Sequence, residues 1–135
     1  MKYLSYLEEA YVISPIRQYS PKAKRELKYY QKLYIEDVSF NSIRQTDDHW
    51  DITHNLENIV FNELLYRGFS LFVYKVDSQE IDFLAEKNNR QYLIQVAYSI
   101  AEESTYKREF ALFNKLDQSR EKIIITNDDF DFSTS

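Results

Sequence analysis

The stretch SLFVYKVDSQEIDFLAEKNNRQYLIQVAYS, residues 70–99, decides the fold of this chain. It contains three segments rich in β-branched and aromatic residues, SLFVYKV, EIDFLAE and QYLIQVAYS, and such segments are typical of β-strands. Short polar turns at residues 77–79 and 88–89 separate them. Because turns of this length join neighbouring antiparallel strands, the stretch predicts a three-stranded antiparallel meander.

Helical patterns flank the meander on both sides. Residues 51–67 carry one apolar stripe and are followed by Gly68, which is typical of a helix ending in a left-handed residue. After the meander, residues 102–116 have apolar residues at helical spacing, and EKIIIT at 121–126 is a short apolar strand. Residues 51–126 therefore predict the order helix, three strands, helix, strand, an α/β arrangement whose last strand is reached by a helical crossover.

The first 50 residues give a different pattern. Residues 3–11 have the spacing of an amphipathic helix, and YVISPIRQYS at 11–20 is typical of an edge strand. Ser20 followed by Pro21 is a helix-start signature, so we predict a short helix over KAKRELKYY at 22–30, then a strand over KLYIEDVSF at 32–40. A polar linker follows at 41–50.

The composition excludes several classes of protein. The chain has 135 residues, no Cys and a single Gly, so it has neither disulfides nor thiolate metal sites, and no glycine-rich loop that could hold a nucleotide. It contains no run of eighteen apolar residues and no secretory signal pattern, so we expect no membrane partner and a cytoplasmic location.

Charge is unevenly distributed along the chain. Residues 1–45 contain eight basic and five acidic side chains, whereas residues 46–135 contain nine basic and seventeen acidic ones. The basic segment 14–32 has tyrosines between its cations. In such a segment the cations can contact the phosphates of a nucleic acid and the tyrosines can stack on its bases. The residues we expect to contact nucleic acid are Arg17, Lys22, Lys24, Arg25 and Lys28, and Lys32 belongs to the same segment. A solvated helix face, or a surface that docks on another part of the protein, explains the pattern equally well.

Asp82 is the strongest candidate for chemistry, because it lies between Ile81 and Phe83 in an apolar strand. A buried carboxylate needs a partner or a metal. Glu57 on the preceding helix and Gln95 on the next strand can reach the same region, and oxygen ligands of this kind suit Mg²⁺ or Mn²⁺. The plainer alternative places Asp82 on a half-solvated hairpin, together with Glu80 on the same face.

These features together resemble a known family. The helix acid, the strand acid and the polar position on the third strand resemble the PD-(D/E)XK, or restriction-endonuclease-like, fold. More closely, the chain resembles the C-terminal region of prokaryotic AAA-type P-loop ATPases, in which a winged-helix segment precedes a nuclease-like domain of poorly defined function. The resemblance rests on residues 6–37 (YLEEAYVISPIRQYSPKAKRELKYYQKLYIED), 56–74 (LENIVFNELLYRGFSLFVY), 80–86 (EIDFLAE), 92–100 (YLIQVAYSI) and 107–110.

The resemblance implies a partial winged-helix-like segment at 1–45, a nuclease-like αβββαβ domain at 46–135, and the ATPase core of a parent chain as partner. It assigns Glu57 and Asp82 as metal ligands and Gln95 as the acid of the final E-x-K element, while Ala97 stands where that element has lysine. Lys107 or Arg108 on the next helix could supply a cation from another direction. Because catalysis needs both the carboxylates and the lysine, we expect a module that is not catalytic by itself.

Three functions follow as expectations. The first is a degenerate module that contacts nucleic acid or protein within an AAA-type ATPase. The second is a metal-dependent DNA nuclease or resolvase that uses Mg²⁺ or Mn²⁺. The third is a regulatory domain that binds only protein.

Overall fold

The computed structural model describes residues 2–22, 25–39, 52–116 and 118–129. In chain order, the helices and strands are α1 (Lys2–Glu9), β1 (Ile13–Ser20), β2 (Arg25–Ile35), α2 (Ile52–Tyr66), β3 (Ser70–Val76), β4 (Gln79–Lys87), β5 (Arg90–Val96), α3 (Glu103–Asn114) and β6 (Glu121–Ile125). The described residues thus form a mixed α/β structure, which confirms the predicted class. None of the described helices is both long and apolar enough to cross a membrane.

The predicted meander is confirmed. β4 pairs antiparallel with β3 on one side and with β5 on the other. Its turns contain residues with left-handed backbone angles, with φ of 54° at Asp77, 53° at Asn88 and 60° at Asn89. Because Asp and Asn tolerate this conformation better than most residues, they permit the short reversals that bring the strands side by side.

The end of α2 also follows the prediction. Gly68 has a φ of +82°. Its N–H donates to the carbonyl of Leu65 at 2.9 Å, and the N–H of Phe69 donates to the carbonyl of Leu64 at 3.1 Å. This pair of bonds is the Schellman arrangement, which satisfies the last carbonyls of a helix and needs a residue tolerant of positive φ. Gly68 therefore sets the point at which the chain turns into β3.

The six strands of the described residues form one sheet in the order β2-β1-β3-β4-β5-β6. β6 lies parallel to β5, which confirms the predicted crossover through α3. The two faces of the sheet carry separate cores. The α2-side core consists of Ile16, Tyr34, Val60, Phe61, Leu71, Val73, Phe83, Ala85, Ile94 and Val96. The α3-side core consists of Tyr74, Ile81, Leu84, Leu93, Phe113 and Leu116.

The helix predicted over residues 22–30 is wrong, because the chain there belongs to β2. β2 pairs antiparallel with β1 from Ser20↔Arg25 to Ile13↔Ile35, so Pro21 lies in the reversal between two strands instead of at a helix start. Pairing with β1 satisfies the backbone groups on one side of β2, and this tertiary interaction is not visible in local helix signals. The predicted strand at 32–40 begins inside β2, which ends at Ile35.

The hairpin of β1 and β2 continues the main sheet, because β1 also pairs in parallel with β3. The segment expected to be a partial winged helix therefore contributes two strands to the same sheet that residues 70–125 build. α1 agrees with the helix predicted at 3–11. The predicted linker at 41–50, with the boundary near residue 45, lies outside the described residues.

Asn58 of α2 ties the end of β2 to the rest of the fold. Its side chain is 2% exposed, its Oδ1 accepts the Ile35 N–H at 3.1 Å, and its Nδ2 donates to the Ile35 carbonyl at 2.9 Å. Asn62 Nδ2 donates to the same carbonyl at 3.1 Å. Asn58 thus gives β2 the two hydrogen bonds that a neighbouring strand would otherwise supply.

We expect Asn58→Ala to lower the free energy of unfolding by about 2 kcal/mol, because it leaves a buried N–H without its acceptor and opens a small cavity. Denaturant unfolding measures the change. Asn62→Ala is the matched control and should cost clearly less, because the Ile35 carbonyl keeps its bond from Asn58. Equal losses in the two variants would contradict this account.

Candidate functional site

Glu57 of α2, Asp82 of β4 and Gln95 of β5, the residues proposed from sequence, all line one shallow depression. Ala97, at the position where the E-x-K element has lysine, lines it too. The structure thus brings together the residues that the resemblance selected. Their individual contacts determine what the depression can do.

A β-bulge sets the direction of Asp82. The register between β3 and β4 shifts between Phe72 and Tyr74, so two residues of β4, Asp82 and Phe83, lie opposite Val73. Phe83 packs in the α2-side core, and strict alternation would turn Asp82 to the other face. The bulge instead allows the Asp82 carboxylate to face the same side as Glu57.

The ammonium group of Lys32, from β2, occupies the centre of the carboxylates. Its Nζ lies 3.0 Å from Glu57 Oε1, 3.3 Å from Asp82 Oδ1 and 3.3 Å from Glu80 Oε1. The Lys32 side chain is 24% exposed, and those of Glu57 and Asp82 are 12% and 14% exposed. We call these four residues the Lys32 cluster.

Two further hydrogen bonds hold the carboxylates of the cluster. The second Asp82 oxygen, Oδ2, accepts the Val96 N–H at 2.9 Å. The Tyr34 hydroxyl donates to Glu57. Tyr34 is 1% exposed, and its ring stacks on Phe61 with the centroids 4.1 Å apart. The cluster is therefore held from β2, α2, β4 and β5 at once.

Gln95 takes a different part from the one expected of the E-x-K acid. Its neighbours Ile94 and Val96 pack in the α2-side core, so strand alternation directs the Gln95 side chain away from that core. Its Oε1 accepts the backbone N–H of Asp82 at 3.2 Å. Gln95 thus holds the main chain of the bulge, whereas the Asp82 carboxylate contacts Lys32 and the Val96 N–H.

The crowding of charges changes the protonation of the cluster. Burial raises the pKa of Asp82 to about 6, the negative charge of Glu57 adds to the rise, and the Val96 N–H and Lys32 oppose it. Burial acts to lower the pKa of Lys32, but the surrounding carboxylates, Glu57 foremost, outweigh it and the pKa is raised. Burial and the bond to Glu57 raise the pKa of Tyr34. Lys32 and Tyr34 therefore stay protonated at neutral pH, while Asp82 titrates nearby.

These residues do not fit a resident Mg²⁺ or Mn²⁺ ion in this arrangement. A divalent ion needs several free oxygen ligands, but Glu57, Glu80 and Asp82 each direct one oxygen at the Lys32 ammonium. Among the described residues, no group of three or more acidic, His or Cys side chains is arranged to hold a metal. The positive charge that the carboxylates require comes from the chain itself.

The two cations proposed to replace the missing lysine lie elsewhere. Lys107 pairs with Glu103 one helical turn away, and its side chain is 70% exposed. Arg108 lines the depression but pairs with Glu109 at 3.0 Å. Neither forms an ion pair with Glu57 or Asp82 in the described part of the chain.

The residues predicted to bind nucleic acid are only partly described. Arg17 is half-buried on β1, and Lys22 is exposed in the turn after it. Arg25 and Lys28 lie on β2, but their side chains fall outside the described residues, as does the whole of Lys24.

Sequence reasoning placed Lys32 in a basic surface segment and missed its position at the site. The available signal was the alternation of Lys32 with Tyr34 in YQKLYI, residues 30–35, which turns both side chains to one face once the segment is interpreted as a strand. A lysine on the buried face of a strand needs a carboxylate partner.

Fold and site together define a class, an α/β domain in which one lysine forms ion pairs with three carboxylates where a helix meets a sheet. Residues 53–135 match the model of a domain of unknown function, DUF4143, and the chain belongs to that family. It is 38% identical over 125 residues to an uncharacterized protein of Haemophilus influenzae, covering 93% of this chain and 30% of the relative.

A second relative is Uncharacterized protein MJ1544 of Methanocaldococcus jannaschii. It is 37% identical over 138 residues, covering 94% of this chain and 30% of the relative. The chain thus spans less than a third of the length of these two curated relatives. No solved structure matches the chain.

Proposed function

We propose that this chain is a catalytically degenerate, PD-(D/E)XK nuclease-like module of an AAA-type ATPase, and that it works by contact with nucleic acid or protein. One observation carries the proposal: the Lys32 ammonium lies within 3.3 Å of Glu57, Glu80 and Asp82. In a nuclease of this class, metal held by such carboxylates activates the attacking water and stabilises the phosphate. Here the ammonium engages one oxygen of each of these carboxylates, in the place where a metal would bind.

The order of elements supports the relationship to nucleases. From α2 to β6 the described chain has the sequence αβββαβ, with an acid on the helix and an acid on the second strand of the meander. Ala97 and Gln95 replace the lysine and the acid of the third strand. A nuclease-like scaffold that lacks both is consistent with a chain that has kept the fold and lost the reaction.

The link to an ATPase rests on the resemblance and on the lengths of the relatives. Because the chain spans about 30% of each curated relative, those proteins have room for further domains. The activity of such a parent and the partners of this module are part of the proposal.

Exposed aromatic residues favour protein contact as a second candidate function. Tyr3 and Tyr11 are 84% and 82% exposed around α1, and Tyr66 at the end of α2 is 89% exposed. Tyrosines are enriched in interfaces because they combine a large apolar area with a hydroxyl group. Salt-insensitive association with a protein, without affinity for DNA, would favour this candidate.

We expect no cleavage of supercoiled, linear or branched DNA by the purified protein with Mg²⁺ or Mn²⁺. The matched control is Asp82→Asn, prepared identically, which separates the activity of this site from a contaminating nuclease. Calorimetry should show no uptake of Mn²⁺ by either protein. Cleavage by the parent protein that disappears in Asp82→Asn would overturn the proposal and favour a metal-dependent nuclease.

A further inference from the structure

A broad groove lies on the α3 side of the sheet, away from the Lys32 cluster. It forms where the turn after β1, the end of β3 and the chain after α3 come together, and it has a volume of about 970 Å³. Tyr74 and Leu116, which line it, belong to the α3-side core, whereas Glu57 lies on α2. We call it the basic groove.

The lining of the basic groove has an excess of positive charge. Its charged residues are one acid, Asp77, and four bases, Lys22, Lys75, Lys115 and Arg120. The whole chain has a net charge of −5, so this local excess opposes the charge of the molecule. Concave surfaces lined by one sign of charge concentrate ligands of the opposite sign.

Arg120 is held in place inside the groove. Its Nε donates to Gln91 Oε1 at 2.9 Å, and its guanidinium lies 5.5 Å from the centre of the Tyr74 ring. Tyr74 is 2% exposed, so the ring is a rigid support for the guanidinium. An arginine oriented in this way loses less freedom when it binds a phosphate than a freely moving one.

Lys22 and Lys115 both line the groove and are exposed, one in the β1–β2 turn and the other directly after α3. Among the described residues, no carboxylate forms an ion pair with either lysine. Both positive charges are therefore available to a ligand.

The depression at the Lys32 cluster has the opposite character. Glu57, Asp82, Glu102 and Glu109 line it, and Arg108 is its one basic lining residue. Without a metal ion such a surface repels phosphate groups. Nucleic acid that approaches this module is therefore repelled from the depression at the Lys32 cluster.

We propose that the basic groove binds the phosphate backbone of nucleic acid without reading its sequence. The contacts come from Lys22, Lys115 and Arg120, and Tyr19, which packs against Tyr74 with ring centroids 6.3 Å apart, forms part of the floor. The proposed function includes contact with nucleic acid, and this inference names the surface that makes the contact. It rests on the proposed function only for the role that such binding has in the parent protein.

The test is fluorescence anisotropy with labelled single-stranded and duplex DNA, comparing the parent protein with the double variant Lys22→Glu/Lys115→Glu. Both side chains are exposed, so the fold should survive, which circular dichroism checks. We expect the double variant to bind at least about tenfold more weakly near 50 mM salt, and its plot of log affinity against log salt to be shallower by about 2. Lys2→Glu, on α1 and outside the groove, is the matched control and should bind like the parent.

Two outcomes would overturn the inference. One is an absence of DNA binding by the parent protein near 50 mM salt. The other is an equal loss per reversed charge in Lys2→Glu, which would mean that overall charge and not the groove determines binding. Cleavage assays report on the proposed function separately, because a protein that binds through the groove and also cuts DNA refutes only the degenerate state of the Lys32 cluster.

Discussion

Replacing Lys32 with methionine should lower the free energy of unfolding at pH 8 by about 3 kcal/mol. The substitution keeps most of the apolar stem but removes the one cation that Glu57, Glu80 and Asp82 share. Breaking a buried charge pair from one side costs about 3–5 kcal/mol, because the remaining charges stay desolvated. The lower end applies here, since Lys32 is 24% exposed and Glu80 is 34% exposed.

Denaturant unfolding of the parent and the variant measures the loss, with Lys75→Met as a control for removing a strand lysine outside the cluster. The double variant Lys32→Met/Asp82→Asn should recover part of the lost stability, because it removes one of the carboxylates left unpaired. A loss in Lys32→Met no larger than that in Lys75→Met would show that solvent already screens the cluster. The ion pairs of the Lys32 cluster would then contribute little to the free energy of unfolding, as solvent-exposed ion pairs do.

Much of the fold could be predicted from local sequence, because its signals lie within or next to each element. Gly68 ends α2, and the Asn88-Asn89 pair reverses the chain between β4 and β5. The apolar run at residues 121–126 predicts a strand, and β6 forms there beside β5, although it lies at the edge of the sheet and none of its residues is fully buried. In these places local preference and tertiary packing agree.

β2 could not be predicted in the same way, because its pairing partner decides its structure. Ser20 and Pro21 are a valid helix-start pair, and the residues after them are good helix formers. The edge of β1 offers hydrogen bonds along the whole of Arg25–Ile35, and Asn58 completes them at its end. These interactions join residues far apart in sequence, so no local window contains them.

The candidate site, like the fold, could be predicted only in part from local sequence. Glu57 and Asp82 could be placed near each other because only β3 separates their helix and strand along the chain. Lys32 could not, because it reaches the site only through β2, which local signals assigned to a helix in part. The bulge at Asp82 and Phe83 was also hidden, since it depends on the register with β3 and leaves no mark in the alternation of β4.

The stability of the protein relative to Asp82→Asn should fall by up to about 3 kcal/mol as the pH rises from 4 to 7. The pKa of Asp82 is about 6 in the folded protein against an ordinary value of 3.8. Between these values the folded state binds more protons than the unfolded state, so raising the pH favours unfolding. One pKa unit corresponds to about 1.4 kcal/mol, which gives the stated limit.

The groups that face Asp82 set this behaviour. Glu57 from α2 opposes its ionisation, whereas the Val96 N–H from β5 and Lys32 from β2 favour it. Glu80, from the same strand, contacts the same Lys32 ammonium. Asp82→Asn keeps an oxygen for the Val96 N–H and cannot titrate, so the difference between the two proteins isolates this one carboxyl group. Denaturant unfolding at intervals between pH 4 and pH 8 measures that difference.

Asp128→Asn is a control of opposite sign. In the parent protein the Asp128 carboxylate accepts hydrogen bonds from the Ser99 hydroxyl and the Ile100 N–H, and these bonds lower the pKa of Asp128. A lowered pKa contributes stability that is present above the ordinary pKa and lost as the pH falls, so the parent should gain stability over Asp128→Asn with rising pH. If the difference between the parent and Asp82→Asn also grows with rising pH, then Lys32 and the Val96 N–H outweigh burial and Glu57, and the pKa of Asp82 in the folded protein lies below its ordinary value.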